Sequence, residues 1–182
     1  MAVRYRRLFG ALGAALLLAG CAAAPPPPKK VWAPPPVSHS PQAAALEVAL
    51  NEFYGAPYRY GGTTPAGVDC SGLIQALYQR VGIHLPRTVA AQYQAGRPVQ
   101  RTDLQFGDVV FFNRYCQNRS PQVYTAAVLF PGWNQQVCHD GFYLGGGRFV
   151  HASPRGVFIS RLDAEVWKVS YCGARRYLPA GN

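Results

Sequence analysis

From Ser40 onward the apolar residues fall at helical spacing. Leu46, Ala49, Leu50 and Phe53 stand at i, i+3, i+4 and i+7, which turns all four to one face of a helix. Ser40-Pro41 ahead of them reads as an N-cap followed by proline at the first helical position. Gly55 closes the segment. A glycine-rich loop, GAPYRYGGTTPAGV, follows. Then Leu73, Ile74, Leu77, Tyr78 and Val81 repeat the spacing up to Gly82, so Cys70 opens a second helix. A short third helix is expected over Thr88 to Ala95, before Gly96. After Gly107 the pattern changes. DVVFF, VYTAAVLF, HDGFYL, RFVHA, GVFIS and ARRYL are short, β-branched or aromatic, and are divided by Gly, Pro or Asn, as strands are. Helices first and strands afterwards predict an α+β domain, with N-terminal helices packed on an antiparallel β-sheet.

The chain ahead of Ser40 has no such period. Met1 to Arg7 carries three arginines and no acid, and Leu8 to Ala19 is an apolar run of twelve. That layout predicts a signal peptide over residues 1–20, because a membrane-spanning helix needs about 20 apolar residues. The run ends in LLAGC, which resembles a bacterial lipobox and implies lipidation at Cys21. Ala22 after that cysteine, rather than Asp, implies the outer membrane of a Gram-negative envelope. Buried acyl chains contribute about 0.8 kcal/mol per CH2, so several would hold the chain durably. Residues 21–41 then form a tether. Ala22 to Pro41 holds eight of the sixteen prolines and predicts an extended, solvated segment reaching roughly 60 Å at about 3.1 Å per residue.

Residues 42–182 make one domain, long enough for a single core. They carry 13 lysines and arginines against eight acids, a formal charge of +5. The basic residues are scattered, without the stripe or tract of a nucleic-acid binder, so no nucleic-acid partner is expected. A mildly cationic surface suits an anionic wall polymer or a membrane, and ordinary solubility equally well.

Cys70 at a helix start is expected to sit in the positive end of the helix dipole, which favours thiolate. Asp69 beside it opposes this unless its carboxylate caps the helix. Ser71 and Gly72 are small enough to let a substrate approach. A thiolate needs a proton-handling partner and a group that orients it. His139 and His151 stand twelve apart on strands joined by Gly145-Gly146-Gly147. An odd-length turn pairs Leu144 with Arg148 and Gly141 with His151, making His139 the diagonal neighbour of His151 on one face. Gly141 then keeps the space between the rings empty. One imidazole is expected to face the helix start while the other holds it. Asp140 then points to the other face, where it needs a partner such as an arginine.

At these residues the chain resembles the NlpC-type family of cell-wall cysteine peptidases, which have a papain-like fold, and specifically its bacterial lipoprotein members. The matching stretches are GAPYRYGG, DCSGLIQALY, LPRT, LQFGDVVFF, HDGFYLGGGRFVHA and GARRYL, in the family's order over about Leu46 to Leu178. The resemblance implies Cys70 as nucleophile, His139 as general base and acid, and His151 as the polar residue that orients His139. It implies that the Tyr58 hydroxyl lies near the oxyanion hole and that Asp69 and Ser71 line the substrate pocket. It implies hydrolysis of peptidoglycan stem peptides or crosslinks, at D-glutamyl–diaminopimelate or D-alanyl–diaminopimelate bonds, with no cofactor.

Two features depart from that family. Asp140 stands where relatives usually have an apolar residue. An insert at about 113–137 replaces a short turn, and its aromatic residues suit a cleft wall, a docking surface for a protein partner, or a tolerated hairpin extension. Cys116, Cys138 and Cys172 remain, an odd number. Either Cys116–Cys138 or Cys138–Cys172 can form a bridge, and the three lack the paired spacing of a zinc site. A non-catalytic murein-binding or adaptor lipoprotein, or an amidase or acyltransferase acting on another amide, are the alternatives to an endopeptidase.

Overall fold

The Ser40 side chain accepts a hydrogen bond from the Ala43 N–H at 3.3 Å, with Pro41 next, so α1 (Pro41–Phe53) starts at its expected cap. The computed structural model describes residues 40–116 and 136–179. The expected signal peptide, Cys21, the tether, the VYTAAVLF strand and most of the insert lie outside them.

Leu46, Ala49, Leu50 and Phe53 of α1 are all buried, and burying each of the larger ones stabilises by about 1.5–3 kcal/mol. A two-residue hairpin, β1 (Thr63–Thr64) and β2 (Gly67–Val68), leads to α2 (Cys70–Gln79). Leu73, Ile74, Leu77 and Tyr78 of α2 join the same core as α1. Gly82, at φ +76°, ends this segment as expected. The third helix, α3, covers Val89–Gln94 behind a Thr88 cap.

Among the described residues six strands make one antiparallel sheet: β3 (Arg97–Val99), β4 (Val109–Phe112), β5 (His139–Gly145), β6 (Arg148–Ser153), β7 (Gly156–Arg161) and β8 (Tyr171–Arg176). Their order is β3-β8-β4-β5-β6-β7. The antiparallel α+β architecture is the expected one. The last strand begins three residues earlier than ARRYL, and β3 and the short α4 (Glu165–Lys168) were not legible in the pattern.

Both faces of this sheet are packed. Val109, Phe111, Phe142, Leu144, Val150 and Ala152 meet the helices. Val110, Phe112, Tyr143, Phe149 and Ala174 meet Trp167 of α4 and Leu162. The β5–β6 turn differs in detail from expectation. Phe142 pairs Val150 and Tyr143 pairs Phe149, the expected register, but Arg148 pairs Gly145 rather than Leu144. A two-residue turn and a one-residue bulge thus replace the odd-length turn. Gly145, Gly146 and Gly147 all have positive φ, which makes this bend accessible to them.

Candidate active site

Cys70 is the first residue of α2, and Asp69 is its N-cap. The Asp69 carboxylate accepts from Gly72 N–H at 2.8 Å and from Gly61 N–H at 2.7 Å, so it caps the helix and ties down the glycine loop. Gly72 serves that packing rather than substrate access: a Cβ there would lie 2.1 Å from the Gly62 carbonyl oxygen. Arg87 completes the assembly. One of its nitrogens donates to Asp69 Oδ2 at 2.6 Å and another to Ser71 Oγ at 2.9 Å. Gln92 donates to the Ser71 carbonyl at 3.0 Å. Arg87 was visible in LPRT, but nothing in its local sequence told that it would reach back to the head of α2.

His139 Nε2 lies 2.9 Å from His151 Nδ1, and His151 Nε2 lies 2.9 Å from Ser160 Oγ. In the tautomer that keeps a lone pair on His139 Nδ1, His139 donates to His151 and His151 donates to Ser160. His139 stacks on Trp167 at 5.6 Å, and Tyr115 meets it edge-on at 5.0 Å. Burial first, then the charges of His151 and Arg114, push His139 well below the ordinary histidine value. Burial, then Arg155 and Arg114, lower His151 to about 3. Both rings are therefore neutral at rest. Gly141 leaves its space to Phe149, whose ring a Cβ would meet at 2.5 Å, rather than to a gap between the imidazoles.

The two ends of the site meet at one cleft of about 970 Å³, lined by Tyr58, Asp69, Cys70, Ser71, Arg87 and His139, among others. A carboxyl also stands against the sulfur. Residues alternate along β5, and α2 packs on the face of Phe142 and Leu144. That turns Asp140 toward Cys70, while the imidazoles pack with Phe112, Phe149 and Trp167 on the other face. Asp140 does point away from His139, but toward the thiol, and its oxygens have no hydrogen-bond partner other than the Cys70 side chain. Arg87 lowers its pKa from a distance but is committed to Asp69.

This changes the thiol. Burial first, then the Asp140 and Asp69 carboxylates, push Cys70 well above its ordinary value; the backbone N–H groups of Ser71 and Asp140 pull it down. Burial and nearby acids outweigh the dipole of a ten-residue helix. Burial, then Cys70 and Asp69, also raise the Tyr58 phenol, which lines the same cleft as the sulfur. Cys116 and Cys138 form the disulfide, which excludes the Cys138–Cys172 alternative. It joins the residue after Tyr115 to the residue before His139.

The NlpC/P60 family model matches residues 55–176. The chain is 36% identical over 168 residues to the probable endopeptidase NlpC of Escherichia coli (strain K12), covering 89% of this chain and 94% of that protein. It is 36% identical over 129 residues to the murein DD-endopeptidase MepS/murein LD-carboxypeptidase of the same strain, covering 70% of this chain and 58% of that one. Among solved structures, an NlpC/P60 family protein from Bacillus cereus ATCC 10987 superposes with a TM-score of 0.62 at 33% identity, over 78% of this chain and 42% of that chain. Several relatives are longer: the match spans 31–62% of the length of three of them. With two thirds of its length inside the family's model and these relatives in common, the chain belongs to the NlpC/P60 family.

Proposed function

We propose that this protein is a murein endopeptidase that cuts peptidoglycan stem peptides or crosslinks by thiol catalysis. The observation that carries the reading is the shared cleft: Cys70 at a helix start and His139, hydrogen-bonded to His151, line the same walls. The names of its relatives as endopeptidases and a murein hydrolase support the same chemistry.

In this reading the Cys70 thiolate attacks an amide carbonyl held in the cleft. The Cys70 N–H and the Tyr58 hydroxyl stabilise the oxyanion. His139, oriented by His151, exchanges protons through Nδ1 and protonates the leaving amine, after which water hydrolyses the thioester. Asp69 and Ser71, held by Arg87, line the substrate pocket. The bond is D-glutamyl–diaminopimelate or D-alanyl–diaminopimelate. Residues 1–20 serve as a lipoprotein signal peptide, Cys21 carries the lipid, residues 21–41 are the tether, and residues 42–182 act on the periplasmic side of the outer membrane. The insert at 113–137 forms a cleft wall or docks a protein partner.

One observation favours a second reading, a murein-binding adaptor without turnover: Asp140 beside Cys70 opposes the thiolate. Purified sacculi treated with the protein and with Cys70→Ala separate the two. Muropeptide release by the unaltered protein alone supports the endopeptidase. Binding by both without release supports the adaptor.

A further inference from the structure

Asp140 has no part in the mechanism above. It is the second residue of β5, paired with Phe111 of β4, and is 0% exposed. It shares its face of the strand with Phe142 and Leu144. Neither carboxyl oxygen has a hydrogen-bond partner other than the Cys70 side chain, an arrangement that is costly for a charge. The reactive group it meets is Cys70: carboxyl and thiol act on one another, and the Asp140 N–H also points its dipole at the sulfur. The other groups facing the pair are Asp69 at the head of α2, the Arg87 guanidinium, the Tyr58 phenol and the Tyr177 phenol after β8. Asp69 and Arg87 are bound to each other, which leaves Asp140 as the acid whose partner is the sulfur.

We infer that Asp140 is a second acid–base group of the Cys70 centre, sharing one proton with the thiol. The inference rests on the reading of Cys70 as the nucleophile. In the neutral pair both sulfur and carboxyl are protonated. Loss of one proton gives a monoanion whose remaining proton lies on sulfur or on oxygen. With the proton on oxygen, a thiolate stands beside a carboxylic acid.

The same arrangement limits the nucleophile. Once the pair has lost its first proton, a second negative charge on sulfur is opposed by the carboxylate next to it. Burial, then the Asp69 charge, raise Asp140 to about 8, and the thiol is raised further. The thiolate population therefore climbs with pH only until the first proton is lost, and then stops.

The test is the rate of Cys70 alkylation by iodoacetamide as pH is raised, in the full chain, read by mass spectrometry of the Cys70 peptide. The unaltered protein is expected to gain about tenfold per pH unit and to level off near the Asp140 transition at about 8. Asp140→Asn and Asp140→Val are expected to keep climbing past that point. Valine suits the apolar surroundings, so the second variant keeps the readout if the first misfolds. Superimposable profiles for all three proteins overturn the inference, as does a plateau that survives in the variants. Alkylation needs no turnover. Failure of the endopeptidase reading shows separately, as hydrolysis of sacculi by Cys70→Ala or as no hydrolysis by any form.

Discussion

Arg87 grips two residues of the cleft at once, with Asp69 Oδ2 at 2.6 Å and Ser71 Oγ at 2.9 Å. A guanidinium fork suits this task, because it fixes both groups in one geometry. Arg87→Ala leaves the Asp69 carboxylate without its cation and Ser71 without its donor. We expect a loss of roughly 1–3 kcal/mol in urea unfolding. For a muropeptide substrate we expect KM to rise, since in the proposed reading these groups line the substrate pocket, and kcat to fall as well, since the released Asp69 charge acts on the Cys70 thiol. Arg87→Lys should recover much of the stability and little of the KM. An unchanged KM in Arg87→Ala contradicts the assignment.

The second imidazole should matter almost as much as the first. His151 takes up His139 Nε2 and is itself bound to Ser160 Oγ. His151→Ala frees the His139 ring to change tautomer, so kcat for muropeptide release should fall by about 10²–10⁴. Ser160→Ala should fall less. Turnover in His151→Ala equal to that of the unaltered protein contradicts the orienting role.

Stability should peak near the ordinary histidine value and fall on either side. Asp140 titrates at about 8 in the folded chain and 3.8 when unfolded. Between those values the folded chain holds a proton that the unfolded chain has lost, so stability falls as pH rises. His151 titrates at about 3 instead of 6.5, and His139 is lowered too. Below 6.5 the unfolded chain therefore binds protons that the folded rings refuse, and stability falls as pH drops. Two rings outweigh one carboxyl there. Above 6.5 Asp140 acts alone, with a slope of about 1.4 kcal/mol per pH unit up to its folded pKa. Urea unfolding across this range should show the alkaline fall, and Asp140→Val should abolish it. Persistence of that fall in Asp140→Val contradicts the placement of Asp140.

The Cys116–Cys138 bridge spans a sequence separation of 22. Closing a loop of that size constrains the unfolded chain by about 3 kcal/mol. Replacing both cysteines by serine should lower unfolding free energy by that order. It should also lower turnover, because the bridge fixes Tyr115 edge-on to His139. Full activity with reduced stability would confine the bridge to a structural role.

Much of this was legible in the chain, and the part that was not has a physical reason. The Ser40 cap, the apolar face of α1, the position of Cys70 at the start of α2 and the strands β4 to β7 all follow from local spacing. The antiparallel α+β architecture follows from the order of these elements. The orientation of β5 does not. Alternation separates His139 from Asp140, but a strand buried on both faces carries no polar side to show which set meets the helix. Phe142 and Tyr143 are equally plausible core residues until α2 and α4 are in place. Arg87 is a similar case: its partners are set by the path of the loop after α2. β3 and α4 are too short for any period to show.

The most direct measurement is mass analysis of the soluble products when purified sacculi are incubated with the full chain, alongside Cys70→Ala. We expect the unaltered protein alone to release muropeptides, with new ends at a diaminopimelate bond. Equal release by Cys70→Ala, or release from neither while both bind the sacculus, contradicts a thiol hydrolase centred on Cys70.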